Sequence, residues 1–331
     1  MKRYVWQRLL SLIPVLLGIT FLSFALMRLA GSDAVTEMYS GAGLVVSQEI
    51  VDAARAKLGL DKPFLVQYFS WLGNMVTGDM GKSFVSGRDV FDTFLSKLPA
   101  TLLLAVFSVL LTVVVSIPLG VISAVAHQKA QTARDAHLRS VCALLDSGVR
   151  FVSFIGNSMP NFFVALLLMH FLAVKLGWLP VIANGVTLAG AIMPTLTLAI
   201  AMSAKYLRQV RAAVLDELSK DYVSGARARG VKETTILVKS VLRSSLMTIV
   251  TLLALSTGSL LGGTAIVETI FMWDGVGKLA VDAIMMRDYP LIQAYVVWMA
   301  IIYVGVNLVA DLLYLVLDPR VRLEVERHGG A

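Results

Sequence analysis

Side chains that commonly perform chemistry in enzymes are scattered along this 331-residue chain. The four histidines, at positions 127, 137, 170 and 328, show none of the His/Glu spacing by which a helix binds zinc. The single cysteine, Cys142, excludes an intrachain disulfide and a cysteine-based zinc site. The pattern favours a non-catalytic protein that binds no cofactor and no metal of its own.

One stretch resembles part of a nucleotide-binding motif, but the spacing of its glycines does not match. Gly81-Lys82-Ser83 has the form of the end of a P-loop, in which another glycine stands five residues before Gly81. Val76 occupies that position, and no buried strand pattern precedes the segment. Nucleotide binding by this stretch is therefore disfavoured.

A few polar side chains lie inside long apolar runs, where a charge costs about 2.5–3.5 kcal/mol on insertion scales. Asp311 follows Asn307 by one helical turn, so the two share a face. We favour the hypothesis that Asn307 and Asp311 form a structural polar pair over the hypothesis that they line a polar pathway. His170 could touch a metal chelate, but a lone helical histidine is more often packed or hydrogen-bonded. The scattered methionines are likewise better explained as filler of irregular cores.

The composition places the chain in a lipid bilayer. Hydrophobic residues make up 57% of it and charged residues only 15%, whereas about a quarter of a soluble domain is charged. The apolar runs predict an all-α polytopic membrane protein with six spans, at about 9–30, 99–126, 151–174, 181–204, 244–267 and 289–317. The first run is too long for the core of a cleaved signal peptide and is expected to be retained.

The basic residues orient these spans. With both termini in the cytoplasm, the cytoplasmic segments carry 19 basic and 9 acidic residues, and the external segments carry 10 and 12. This asymmetry follows the positive-inside rule of bacterial membrane proteins. The net charge of +7 therefore reflects orientation in the cytoplasmic membrane and requires no nucleic-acid partner.

The spans divide the chain into three parts. Residues 1–98 combine the first span with an extracytoplasmic segment, 31–98, in which Ser47 is predicted to begin a helix from Gln48 to Leu58. Residues 99–318 form a core with five spans, and residues 319–331 form a cytoplasmic tail. In the fifth span Ala254, Gly258 and Gly262 recur every four residues. This small-residue ridge suits close helix packing, either within the subunit, which we favour, or against another subunit.

The cytoplasmic loop 205–243 is the most informative stretch. It carries nine Lys or Arg residues against four acidic ones. A short helix is predicted from Asp221 to Arg229, with Gly230 as its C-terminal stop, and a second from Lys232 to Leu242. A helix pair held at the membrane surface offers a soluble partner a compact surface.

This loop resembles the coupling loop of ABC importer permeases, in which Glu-Ala-Ala, three residues, Gly and nine residues precede Ile-x-Leu-Pro. Ala226, Gly230 and Leu242 match in register, whereas positions 224, 225 and 243 depart from the general pattern. The run Tyr222 to Gly230 is closer to the looser version used by the dipeptide, oligopeptide and nickel branch.

Further landmarks of that branch follow in order along nearly the whole chain. They include Leu58–Pro63, Gln67-Tyr68, Gly78–Ser83, Leu98–Thr101, Ser158–Phe162, Trp178–Pro180, Leu261–Gly263, Gly275–Gly277, Arg287–Pro290 and Asp318–Arg320. The chain is similar to the first of the two permeases of such systems. Asp274 departs from the family, which usually has proline there.

The resemblance implies the fold of a type I importer permease and a transport function without catalysis. Its implied partners are a second homologous permease, two ATPases that use ATP and Mg²⁺, and an extracytoplasmic substrate-binding protein. The residues implied to contact the ATPases are Tyr222, Ser224, Gly225, Ala226, Arg227, Arg229, Gly230 and Leu242.

The substrate class implied by the branch stays open at this point: dipeptides, oligopeptides, glutathione-like peptides, nickel chelates or metallophore complexes. The run Val149 to Pro180 is slightly closer to nickel-type members. An ion-coupled carrier acting alone is the alternative function. It is disfavoured because such carriers tend to show inverted repeats and several intramembrane carboxylates.

Overall fold

A computed structural model describes residues 2–29, 47–57, 61–183 and 185–317. These residues form helices joined by turns, with an antiparallel bridge between Lys82 and Asp89. The predicted all-α class is confirmed. The chain divides into two compact units, one of residues 1–102 and 274–305 and the other of residues 103–273 and 306–331.

The first unit joins the N-terminal helices to helices from late in the chain. It contains α1 (Lys2–Leu29), α2 (Gln48–Lys57), α3 (Phe64–Val76), the start of α4 (Val90–Thr132), α11 (Val276–Met285) and the start of α12 (Tyr289–Leu317). The helix predicted after Ser47 is confirmed by α2. Tyr68 of α3 is buried, and its hydroxyl lies 2.9 Å from Thr20 Oγ1 of α1. Its ring centre lies 5.3 Å from that of Phe21, so aromatic packing also joins α3 to the first apolar helix.

Two polar contacts hold the later helices of this unit. Asp288 is 1% exposed and accepts hydrogen bonds from Ser83 Oγ at 2.5 Å and from the Phe84 N–H at 3.2 Å. Thr101 Oγ1 accepts a hydrogen bond from the Val276 N–H at 2.9 Å, at the first turn of α11. The segment that imitates a P-loop therefore has a structural role, in which Ser83 satisfies a buried carboxylate.

The second unit contains the loop predicted to be functional. Its elements are the rest of α4, α5 (Ala136–Ser158), α6 (Asn161–Leu168) with the π-helix Met169–Lys175, α7 (Leu188–Leu218), α8 (Asp221–Ala228), α9 (Glu233–Thr235), the π-helix Ile236–Leu242, α10 (Arg243–Ile270) and the end of α12. α7 is the central helix and packs against α5, α6 and α10.

Glycines bring two helices close to α7. A Cβ added at Gly120 of α4 would lie 2.7 Å from Val210 Cβ, and one added at Gly156 of α5 would lie 2.9 Å from Ala204 Cβ. Atoms cannot pack at these separations. The absence of a side chain at both glycines therefore permits the contact between α7 and its neighbours.

Within the described residues, four helices are long and apolar enough to cross a membrane. They lie in Val90–Thr132, Leu188–Leu218, Glu233–Leu253 and Tyr289–Val309. A fifth span results if the bent pair α5 and α6 counts as one, and Ile13–Leu29 is a shorter apolar helix. The six-span count and the side of each terminus stay predictions.

The third predicted span, 151–174, differs from the structure because it is broken. α5 ends at Ser158, α6 starts at Asn161, and the two helices are bent by 102°. Pro160 has no N–H to donate, and it disfavours a helical conformation at Met159, whose φ and ψ are −85° and 127°.

The loop 205–243 is also more helical than predicted. α7 starts at Leu188 rather than 181 and continues to Leu218, which places Lys205 on a helix. The apolar side chains of α7 bury one face of the helix, while Lys205 and Arg208 lie exposed on the other. The predicted second short helix is the beginning of the longer run that continues into α10.

Candidate functional site

The short helix α8 is the separate helix that the sequence predicted. It starts after Lys220 and ends at Ala228, and Gly230 follows with φ at +76°. The Gly230 N–H donates to the Arg227 carbonyl at 2.9 Å and the Val231 N–H to the Ala226 carbonyl at 3.1 Å. Glycine suits this left-handed position, so the chain turns sharply after α8.

One face of α8 is anchored in the core of the second unit. Val223 is fully buried and packs in a cluster with Ala124, Val210, Val214, Leu218, Ile236, Val241 and Ile249. Ala226 is partly buried against the same cluster, and Leu242 is half-buried at the end of its π-helix. Burying a valine side chain contributes about 1.5–3 kcal/mol, which is enough to fix the orientation of α8.

The opposite face of α8 is open. Tyr222, Ser224, Gly225, Arg229 and Gly230 are exposed, and we call these five residues the coupling face. A Cβ added at Gly225 or Gly230 would meet no atom within 4 Å. The coupling face is thus a small exposed surface with one cationic side chain, carried on a helix that the core holds in place.

Arg227 lies apart from the coupling face because its contacts are internal. Its Nε donates to Glu233 Oε1 at 2.6 Å, and its Nη2 donates to Gln128 Oε1 at 3.0 Å and to Glu233 Oε2 at 3.3 Å. Arg227 therefore ties α8 to α9 and to the end of α4. The pattern that pairs Arg227 with Arg229 in sequence could not separate these two roles.

Glu217 holds the turn that leads into α8. This carboxylate is 8% exposed, forms an ion pair with Lys220 and accepts a hydrogen bond from the Tyr222 hydroxyl at 3.4 Å. The hydrogen bond to Glu217 raises the pKa of Lys220. Burial, reinforced by the charge of Glu217, raises the pKa of Tyr222. The two side chains keep their proton because the carboxylate stabilises the protonated forms.

The sequence did not single out Asp146, which is the most connected charge of this unit. Asp146 is 3% exposed on α5 and accepts two hydrogen bonds from Arg211 of α7, at 2.8 and 2.9 Å. Ser123 Oγ donates at 2.6 Å, His127 Nδ1 lies at 3.1 Å and Arg150 Nε at 3.7 Å. We call these five residues the Asp146 cluster. It fixes α4, α5 and α7 to one another.

A lone acid in a largely apolar stretch, followed four residues later by Arg150, was the available signal for Asp146. The decisive partners, Ser123 and Arg211, lie 23 and 65 residues away along the chain. Contacts of this sequence separation form only when the helices pack.

The other predicted polar residues are not brought to α8. His170 is exposed on the π-helix after α6, with its ring 5.3 Å from that of Phe171. Asn307 is half-buried on α12 and has a polar contact. Asp311 lies on the same helix, and its side chain is outside the described residues. The suggested pairing of Asn307 with Asp311 therefore stays a prediction.

The predicted small-residue ridge lies on α10. Gly258 is half-buried, and Gly262 is exposed with open space where a Cβ would lie. The side chain of Ala254 is outside the described residues. Asp274, which replaces the usual proline, forms an ion pair with Lys97 of α4. At this position the departure from the family pattern supplies a local contact within the first unit.

Comparison with known proteins gives the family. The model described as "Binding-protein-dependent transport system inner membrane component" matches residues 116–323, and its N-terminal companion matches residues 1–105. The oligopeptide transport system permease protein AppB of Bacillus subtilis (strain 168) is 40% identical over 333 residues, 97% of this chain and 99% of that protein. The glutathione transport system permease protein GsiC of Escherichia coli (strain K12) is 36% identical over 322 residues, with coverage of 97% and 99%.

A solved structure supports the fold. The MetNI methionine ABC transporter, in an inward-facing conformation, aligns with a TM-score of 0.56 and 18% identity, over 68% of this chain and 96% of that chain. The comparisons lend no support to a carrier acting alone. Full-length similarity, a type I importer permease fold and several apolar helices agree with one another. The chain therefore belongs to the inner-membrane components of binding-protein-dependent transport systems and is a multi-pass permease subunit of an ABC importer of the oligopeptide and dipeptide type.

Proposed function

We propose that this subunit forms, with a second homologous permease, the translocation pathway for short peptides. Two cytoplasmic ATPases drive the pathway by pressing on α8, and an extracytoplasmic binding protein delivers the substrate. Membership of a binding-protein-dependent family supports the binding protein and the ATPases. The second permease and the pair of ATPases follow from the resemblance of the loop 205–243 to the coupling loop of ABC importer permeases.

The observation that carries this proposal is the division of α8 into two faces. Val223 is fully buried, whereas the coupling face is exposed. A partner that binds the coupling face would move a helix that is firmly attached to the core. In contrast, a loose loop would absorb the same push by changing its own conformation.

Motion of α8 has a direct route into the spans. Arg227 contacts Gln128 at the end of α4, and Val223 shares its cluster with residues of α7 and α10. The Asp146 cluster then links α4 and α7 to α5. We propose that these contacts make the helix ends move together between outward-open and inward-open states, which substrate and nucleotide bias from opposite ends.

We further propose that the chain is a non-catalytic subunit. ATP and Mg²⁺ are used by the partner ATPases, and this chain holds no cofactor. The failed P-loop spacing at Gly81-Lys82-Ser83 supports this division of labour. Because the named relatives transport oligopeptides and glutathione, we propose peptides rather than nickel chelates as the substrate class.

Charge reversal at Arg229 tests the coupling role. In the complete importer in proteoliposomes, Arg229→Glu is expected to lower ATP-driven uptake at least tenfold, while the thermal midpoint of the complex stays unchanged because Arg229 is exposed. Uptake and ATP hydrolysis are measured together, so that the ratio of substrate moved to ATP consumed reports coupling.

Arg139→Glu is the matched control, since Arg139 is an exposed arginine on α5 and lies outside the coupling face. It is expected to leave the ratio unchanged. Normal uptake by Arg229→Glu, or equal losses in the two variants, would contradict the coupling role of α8.

A further inference from the structure

The break between α5 and α6 opens a cavity in the second unit. Its volume is about 230 Å³, and its walls come from the end of α5, the start of α6, and the middle of α7 and α10. The cavity exists because α6 leaves at 102° to α5. Gly263 of α10 lines it, and a Cβ there would lie 3.7 Å from Asn161 Nδ2, at ordinary contact distance.

The polar side chains that line this cavity can all donate hydrogen bonds. Lys205 of α7 supplies the ammonium group, and Asn157 and Asn161 supply amides that can donate hydrogen bonds. Its wall contains no acidic residue. Among the described residues, Lys205 has no carboxylate within ion-pair distance. Tyr206 also lines the cavity, but its hydroxyl already donates to the Leu252 carbonyl at 2.8 Å.

Lys205 is exposed at this cavity, on the face of α7 that is not buried. Ionisable residues on membrane-spanning helices typically face the protein interior or a water-filled cavity and mark the path of a substrate or ion. An ammonium group with two amide donors is complementary to a carboxylate.

The size of the cavity limits its occupant. Pockets that enclose a drug-sized molecule have volumes of about 300–1,000 Å³, and this one is smaller. It accommodates a carboxylate with the residue that bears it, and a longer peptide would extend out of it. The thioethers of Met159 and Met202 form an apolar part of the wall, which adapts to different side chains.

We propose that the cavity at the helix break binds a carboxylate of the transported peptide through Lys205, Asn157 and Asn161. The inference rests on the proposed function and adds an anionic specificity to it. The carboxylate belongs either to the peptide C-terminus or to an acidic side chain, and a set of probe peptides separates the two.

The test uses the complete importer in proteoliposomes with trialanine, trialanine amide and Ala-Glu-Ala amide as probes. Lys205→Gln is expected to lower the uptake of trialanine about tenfold, which corresponds to one lost charge-assisted hydrogen bond. Trialanine amide has no carboxylate, so Lys205→Gln and the wild type should take it up equally well. A tenfold loss for Ala-Glu-Ala amide would identify a side-chain carboxylate as a second source.

Two variants serve as controls. Lys205→Arg keeps the cation and should retain most of the uptake of trialanine. Lys175→Gln removes an exposed lysine that lies outside the cavity and should behave as the wild type.

Two results separate this inference from the function it rests on. Equal losses of acid and amide peptides in Lys205→Gln, or no loss, would overturn the carboxylate site while peptide import stands. A wild-type importer that accumulates none of the probes, although ATP is hydrolysed, would overturn the proposed import of short peptides and this inference with it.

Discussion

The Asp146 cluster and the coupling face differ in how their charges are satisfied, although each includes residues of the stretch 205–243. Asp146 is 3% exposed and has four polar partners on three helices. Arg229 of the coupling face is exposed and has no ion-pair partner among the described residues. A buried charge of the first kind holds helices together, whereas an exposed charge of the second kind is available to another protein.

This contrast separates two roles that a list of charged residues would merge. Arg227 and Arg229 are two positions apart, but Arg227 is satisfied internally by Glu233 and Gln128. Arg227 therefore groups with the structural charges, whereas Arg229 groups with the charges that are available to a partner. Variants that change stability and coupling separately therefore test the distinction between these two roles.

The largest expected effect is the loss of the buried carboxylate. Asp146→Ala leaves Arg211, whose side chain is mostly buried, without its partner, and breaking a buried ion pair costs about 3–5 kcal/mol. The variant should lower the thermal unfolding midpoint of the detergent-solubilised subunit and its abundance in the membrane. Fluorescence-monitored thermal unfolding measures the first quantity.

Asp135→Ala on the same helix is the matched control. Asp135 caps α5 through a 2.9 Å hydrogen bond from the His137 N–H to its carboxylate and is exposed. Losing such a cap costs about 1 kcal/mol. If the two variants unfolded at the same temperature, the Asp146 cluster would not be the structural centre described above.

Two glycines of α8 should respond to alanine in opposite directions. Gly230 has φ at +76°, and a left-handed conformation costs a non-glycine residue about 1–2 kcal/mol. Gly225 lies within α8 with open space beside it, where alanine favours the helix by about 0.5–1 kcal/mol. Amide hydrogen exchange of residues 221–230 should therefore become faster in Gly230→Ala and slower in Gly225→Ala.

A change of the same sign in both variants would show that helix geometry does not govern α8. Because Gly225 belongs to the coupling face, its variant also separates stability from coupling. Slower exchange together with a lower ratio of uptake to ATP hydrolysis would place Gly225 in the partner contact.

The smallest expected effect concerns pH. The raised pKa values of Lys220 and Tyr222 mean that the folded turn binds protons more tightly than the unfolded chain. The resulting stabilisation is present below the ordinary values of 10.5 and 10.0. It is lost as the pH rises through the higher folded values, so the turn should be unaffected at neutral pH and loosen only above about pH 10.

The ultraviolet difference spectrum between the wild type and Tyr222→Phe measures the ionisation of Tyr222 directly. Its midpoint should lie above the ordinary tyrosine value, and Glu217→Gln should shift it downward, because the charge of Glu217 favours the neutral phenol. A midpoint at or below the ordinary value would contradict the contact of the Tyr222 hydroxyl with Glu217.

Much of the architecture was predictable from local patterns. The all-α class follows from apolar runs long enough to span a bilayer. The short helix before Gly230 follows from helix formers with a glycine stop, and the start of α2 follows from the serine at position 47. Each of these features depends on residues that are close together in sequence.

The predictions that differ from the structure involve competition between neighbouring signals. Apolar residues on both sides of Pro160 suggested one span, but the proline ring interrupts the helix. Lys205 suggested the start of a polar loop, but a helix tolerates a cation on the face that is not buried. In both cases the hydropathy of the run did not reveal the path of the backbone.

By itself the sequence determined the helical class, the family and the position of α8, because these depend on composition, spacing and local backbone preferences. Only the tertiary structure decided that Asp146 joins three helices, that Arg227 is internal while Arg229 is exposed, and that Lys205 lies in a cavity beside a helix break. Those facts depend on which distant side chains meet when helices pack, and the contacting residues are as far apart as 65 and 99 positions along the chain.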